Sequence, residues 1–160
     1  MKFLPLLLVL VLLILCAKFL LAMLQRQEPA YRYKSKRLLT DNEREFFARL
    51  VGALPEHFVF PQVSFGALLQ PDTATRTSQY HRTRGTFSQK IADYVICTKE
   101  LRVLAIVELD DRTHNSARDG KRDAMLKQAG YTVIRWHSRN KPTGEEIRER
   151  LRTTESEMPT

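Results

Sequence analysis

The amino-acid sequence predicts an α/β protein: a mixed sheet flanked by helices, preceded by one N-terminal transmembrane helix. Three observations predict it. Nearly every position from Phe3 to Leu24 is apolar, with Pro5 and Lys18 the interruptions. Two apolar, β-rich runs, Ile91 to Cys97 and Val103 to Leu109, have polar Thr98, Lys99 and Glu100 between them, as a hairpin does. A strand–helix–strand pattern from Val103 to Trp136 then implies a right-handed crossover and parallel neighbours.

Roughly 20 apolar residues rising 1.5 Å each match a ~30 Å hydrocarbon core, and Lys18 lies where its stem can snorkel to the headgroups. A cleaved signal peptide is the competing reading. It wants a small-x-small site, and Cys16-Ala17-Lys18 and Leu21-Ala22-Met23 match that poorly. Only Lys2 precedes the segment, whereas Arg26, Arg32, Lys34, Lys36 and Arg37 follow it. The positive-inside rule then places the N-terminus outside a bacterial inner membrane and the rest in the cytoplasm. Anionic lipid headgroups are a natural partner for residues 25–37.

Thr40 with Glu43 three residues on is a capping box, opening a helix whose Phe46, Phe47, Leu50 and Val51 form an apolar stripe before Pro55 stops it. Phe58 to Val63 reads as a short edge strand because of Pro61. Gln70 to Gln89, rich in Thr, Arg, Ser and His, reads as an exposed loop. Ser116 to Ala129 is a helix ended by Gly130, Tyr131 to Trp136 a strand, and Thr143 with Glu146 caps a last helix through about Arg152. The chain so divides into an anchor at 1–24, a basic linker at 25–37, a folded domain at 38–152 and a flexible tail at 153–160.

Cys16 and Cys97 fall in the apolar segment and in a buried strand, so no disulfide framework is expected, and no Cys/His spacing suggests zinc. Net charge is +8, and +6 without Lys2 and Lys18, which favours an anionic partner such as nucleic acid.

Acids at strand ends carry the candidate chemistry. Asp93 interrupts an apolar run, and the next run ends in Glu108-Leu109-Asp110-Asp111, followed by His114. Strand alternation puts Glu108 and Asp110 on one face, and an antiparallel neighbour brings Asp93 to them. Three convergent carboxylates repel one another unless a proton or a hard cation intervenes. Solvated turn residues are the plainer alternative for Asp110 and Asp111, less so for Asp93 within its apolar run. Arg118, Asp119, Arg122 and Asp123 have the spacing to pair along an exposed helix face, or the arginines to hold phosphate. Arg76, Arg82 and Arg84, with Tyr80 and His81, suit either a solvated loop or a nucleic-acid contact.

Thr40-Asp-Asn-Glu-Arg-Glu-Phe-Phe, Leu54-Pro, Phe60-Pro-Gln-Val, Ile91-Ala-Asp-Tyr-Val, Ile106-Val-Glu-Leu-Asp-Asp-Arg-Thr-His, Arg118-Asp with Arg122-Asp, and Ala129-Gly-Tyr resemble the bacterial domain-of-unknown-function 2726 family. That family in turn resembles PD-(D/E)XK, restriction-endonuclease-like nucleases, near the very-short-patch repair branch. The resemblance covers about residues 38–140 and implies a restriction-endonuclease-like mixed sheet. It implies a metal-dependent nuclease of DNA or RNA with Mg²⁺ or Mn²⁺ held by Asp93, Glu108 and Asp110, and His114 assisting proton transfer. Asp110 stands where many such nucleases carry Lys, a departure from the pattern. Glu43 matches a supporting acid, and Arg82, Arg84, Arg118 and Arg122 are the expected nucleic-acid contacts. Two rival functions are a catalytically degenerate nucleic-acid-binding module and a membrane-proximal adaptor for lipid or protein.

Overall fold

The computed structural model describes residues 3–24, 31–110 and 116–157, with the side chains of Leu6, Ala22, Leu24 and residues 116–119 excepted. Two compact units divide the chain, residues 1–36 and 37–160. In the first, helix α1 runs Leu4–Leu24 and is apolar throughout except for Lys18. Its described residues are exposed. Among the described residues, no helix is long and apolar enough to cross a membrane. The expectation of a transmembrane helix is corrected accordingly, to an apolar helix.

The second unit is mixed α/β. Its elements are α2 (Asp41–Ala53), β1 (Phe58–Ser64), α3 (Phe65–Leu68), α4 (Ser78–Phe87), β2 (Ile91–Cys97), β3 (Val103–Asp110), α5 (Ser116–Gln128), β4 (Val133–His137) and α6 (Gly144–Glu157). The sheet order is β1-β2-β3-β4. The first two pairings are antiparallel and the β3–β4 pairing is parallel, as the strand–helix–strand pattern requires. Pro61, which cannot donate to a ladder, sits on the edge strand β1.

Local chemistry sets the helix ends. The Thr40 side chain accepts from the Glu43 amide while the Glu43 carboxylate takes the Thr40 amide at 2.7 Å, closing the expected capping box. Thr143 and Glu146 repeat the arrangement at the start of α6. That helix continues to Glu157 with Thr154 buried, so residues 153–157 are helical where a flexible tail was expected. The segment expected to be a loop contains α4, capped by Thr77, whose Oγ1 accepts from the Tyr80 amide at 3.1 Å.

Two apolar clusters cover opposite faces of the sheet. Phe46 and Leu50 of α2 with Ile147 and Leu151 of α6 pack on Tyr94, Ile96, Val107 and Ile134. Phe65, Phe87 and Leu126, from α3, α4 and α5, pack on Val95, Cys97 and Ile106. Each fully buried Leu, Ile or Phe contributes about 1.5–3 kcal/mol. Alternation along β3 therefore gives Val107 and Leu109 to the α2–α6 face, and Ile106, Glu108 and Asp110 to the α5 face.

A candidate carboxylate–arginine site

Asp93 stands where two ladders break. Opposite it in β1, pairing passes from Pro61↔Tyr94 to Val63↔Ala92, skipping Gln62 and Asp93. Gln62 there has φ 55°, a left-handed conformation uncommon for a residue with a side chain. On the other side, the β2–β3 pairing ends at Tyr94↔Val107. The Asp93 carboxylate takes over beyond that point, accepting the Leu109 amide at 2.8 Å. The side chain thus replaces a missing ladder bond and brings Asp93 beside β3.

Glu108 is the buried acid among the described residues, 3 % exposed. Both its oxygens accept from Arg122 Nη2 at 3.0 Å, and the same nitrogen donates to the Ile91 carbonyl at 2.7 Å. The Arg122 guanidinium also lies over the Phe65 ring, 5.5 Å from its centroid. Burial pushes the Glu108 carboxyl up to about 8, and the Asp93 charge adds to the rise while Arg122 and Arg135 oppose it. Asp93 is raised as well, first by burial, against the Leu109 amide and Arg122 that favour its charge; Glu43 and Asp110 add to the rise.

Asp110 lies two residues on, paired in register with His137, as Glu108 is with Arg135. Arg135 Nη1 donates to both Asp110 oxygens, at 2.6 and 2.8 Å, and its Nε and Nη2 donate to Asp123 of α5 at 3.1 and 2.7 Å. Those two acids push the Arg135 proton affinity further up. Asp93, Glu108 and Asp110 stand along one face of the sheet, with Arg122 holding Glu108 and Arg135 holding Asp110. Arg122 and Asp123, expected to pair along an exposed helix face, turn instead to the sheet. Glu43 serves the capping box, and its carbonyl accepts from the Tyr94 hydroxyl at 2.8 Å. His114, Asp111 and the side chain of Arg118 lie outside the described residues. Arg82 and Arg84 are exposed on α4. Sequence reading passed over Arg135, although it stands between apolar Ile134 and Trp136 as Asp93 stands within its own run.

The resemblance implies a divalent cation here. Raised carboxyl oxygens are the hard ligands that Mg²⁺ takes, yet among the described residues no group of three His, Cys, Asp or Glu is placed to hold a metal ion. Arg122 already occupies both Glu108 oxygens, Arg135 both Asp110 oxygens, and the Leu109 amide one oxygen of Asp93. The described residues do not fit a resident metal, and no chemistry is derived through one.

No curated protein and no solved structure matches the chain. A family model described as "Protein of unknown function (DUF2726)" matches residues 35–154, from just before the α2 capping box to the buried Thr154 of α6, and the chain belongs to that family.

Proposed function

We propose that the second unit is a nucleic-acid phosphodiesterase whose centre is the Asp93–Glu108 pair. The observation that carries this is the buried Glu108 carboxyl, raised to about 8 beside Asp93. A carboxyl raised that far keeps its proton near neutrality, so Glu108 serves as the acid and its neighbour Asp93 as the base. The base accepts a proton from water as the water oxygen bonds to phosphorus. The acid donates one to the leaving ester oxygen as its P–O bond breaks. Arg122 and Arg135 stand beside the pair and offset charge on the phosphoryl oxygens. The surplus of basic residues holds the backbone without reading sequence.

A second reading, a nucleic-acid-binding module without turnover, is favoured by the same arginines. They neutralise Glu108 and Asp110 internally, as a structural ion-pair network does.

Full-length protein incubated with plasmid, single-stranded DNA and RNA, each with Mg²⁺, Mn²⁺ or EDTA, separates the two. Cleavage that disappears in both Asp93→Asn and Glu108→Gln supports the phosphodiesterase. Binding without cleavage under every condition leaves the binding module, and absence of binding removes both.

A further inference from the structure

A cleft of ≈ 450 Å³ opens on the α5 side of the sheet, between α4, the start of α5's last turn and the segment after α3. Its volume is that of a small-molecule site. Phe87 and Met125 give it an apolar floor, and Gln70, Asp72, Thr86 and Gln128 give it a polar rim. The Thr86 hydroxyl donates to the Thr83 carbonyl, which leaves its oxygen free to accept. A flat ring with donors and acceptors around its edge matches that floor and rim.

The charge on the α4 side of the cleft suits the phosphates of such a ligand, with Asp72 the acid on the rim. Thr83, Thr86 and Phe87 share one face of α4, and Arg82 and Arg84 flank it. Neither arginine makes an ion pair among the described residues, and α4 carries no acid. Several arginines elsewhere in the unit are tied, Arg49 to Glu45, Arg148 to Glu145, Arg152 to Glu149 and Arg135 to Asp110 and Asp123, whereas the α4 pair stands beside the cleft with its charge unspent. Helix α5 connects the cleft to the carboxylates. Arg122 holds Glu108, and Met125 and Gln128 follow on the same helix, about 4.5 and 9 Å further along its axis. That spans one to three nucleotides at ~3.4 Å per stacked step.

We infer that this cleft receives one unpaired nucleobase of a nucleic-acid strand whose phosphates lie on Arg82 and Arg84. The inference rests on the nucleic-acid function proposed above and specifies its substrate: a base inside a duplex has its edge paired and its faces stacked, so a single strand or an extruded base is required.

The test measures affinity of the full-length protein for a fluorescein-labelled 12-nucleotide strand, the same strand with one abasic position walked along it, and the corresponding duplex. We expect the single strand to bind about tenfold tighter than the duplex, with one abasic position costing a similar factor, as loss of one base contact does. Met125→Trp, which fills the cleft, and Gln128→Ala, on its rim, should each weaken single-strand binding and abolish the abasic effect. Arg82→Ala with Arg84→Ala should weaken strand and duplex alike. Equal affinity for strand and duplex overturns the inference, as does unchanged strand affinity in a folded Gln128→Ala protein. Binding to neither would overturn the nucleic-acid function itself, while tight duplex binding would leave that function standing and remove only the cleft.

Discussion

The two faces of the sheet are made by the same strands and hold together by different means. On the α2–α6 face, Tyr94, Ile96, Val107 and Ile134 meet Phe46, Leu50, Ile147 and Leu151, with Phe46 edge-on to Tyr94 and to Trp136 at 5.5 and 5.7 Å between ring centroids. On the α5 face the apolar cluster around Phe65, Ile106 and Leu126 gives way to Asp93, Glu108, Asp110, Arg122, Asp123 and Arg135. An apolar face needs only area and fit. A charged one needs a partner for every group, and so its stability follows pH and geometry.

The largest difference should come from the apolar face. Phe46→Ala removes a ring that is fully buried and touches two other aromatics, at a cost of about 4 kcal/mol. No titratable group changes, so urea denaturation at pH 5 and at pH 8.5 should show the same loss. A loss that varied strongly between those pH values would mean that the two faces are not independent.

The charged face should give the next largest effect, and one that moves with pH. Glu108 rises from the ordinary 4.5 to about 8 on folding. Between those values the native state holds a proton that the unfolded chain releases. Its stabilising contribution is therefore fully present below about pH 4.5 and is lost as pH rises through 8. Glu108→Gln should flatten that dependence. A wild-type protein whose urea midpoint stays level from pH 5 to pH 8.5 would show that Arg122 keeps Glu108 ionised throughout.

How much of this could be read from the sequence depends on how far each feature reaches along the chain. Both capping boxes are i, i+3 devices and were visible in Thr40–Glu43 and Thr143–Glu146. The hairpin and the parallel pairing follow from apolar runs and the helix between them, and the shared face of Glu108 and Asp110 follows from strand alternation. Helix α4 was missed because it has little apolar stripe to show: Phe87 is its buried residue, and Thr77 caps it from outside the run. The arginine partners were missed for another reason. Arg122 meets Glu108 across 14 residues and Arg135 meets Asp110 across 25, and nothing local marks either pairing. The short i, i+4 alternative along α5 looked sufficient, although tertiary pairing with the sheet prevails.

Arg135 offers a finer cut within the charged face. Its guanidinium places a two-oxygen grip on Asp110 and two donors on Asp123, joining β3, β4 and α5. Lys keeps the charge but not the planar fork, and it cannot satisfy both acids together. Arg135→Lys should therefore cost about 2 kcal/mol. The strand binding proposed for α4 should survive the substitution. The double substitution with Asp123→Asn should cost little more than either change alone, since both remove one shared interaction.

The smallest effect separates local from tertiary control. Thr40→Ala removes the hydroxyl that accepts the Glu43 amide and leaves α2 packed on the apolar face through Phe46 and Leu50. Loss of an N-cap costs about 1 kcal/mol. Because Tyr94 is bonded to the Glu43 carbonyl at 2.8 Å, the first turn of α2 is also tied to the strand that carries Asp93. If the cap acts only locally, hydrogen exchange should quicken in the first turn of α2 while β2 stays protected. If the tie transmits the loosening, exchange should quicken at Asp93 and Tyr94 as well. The capping box of α2 would then be a support of the carboxylate site, reached through one tyrosine hydroxyl.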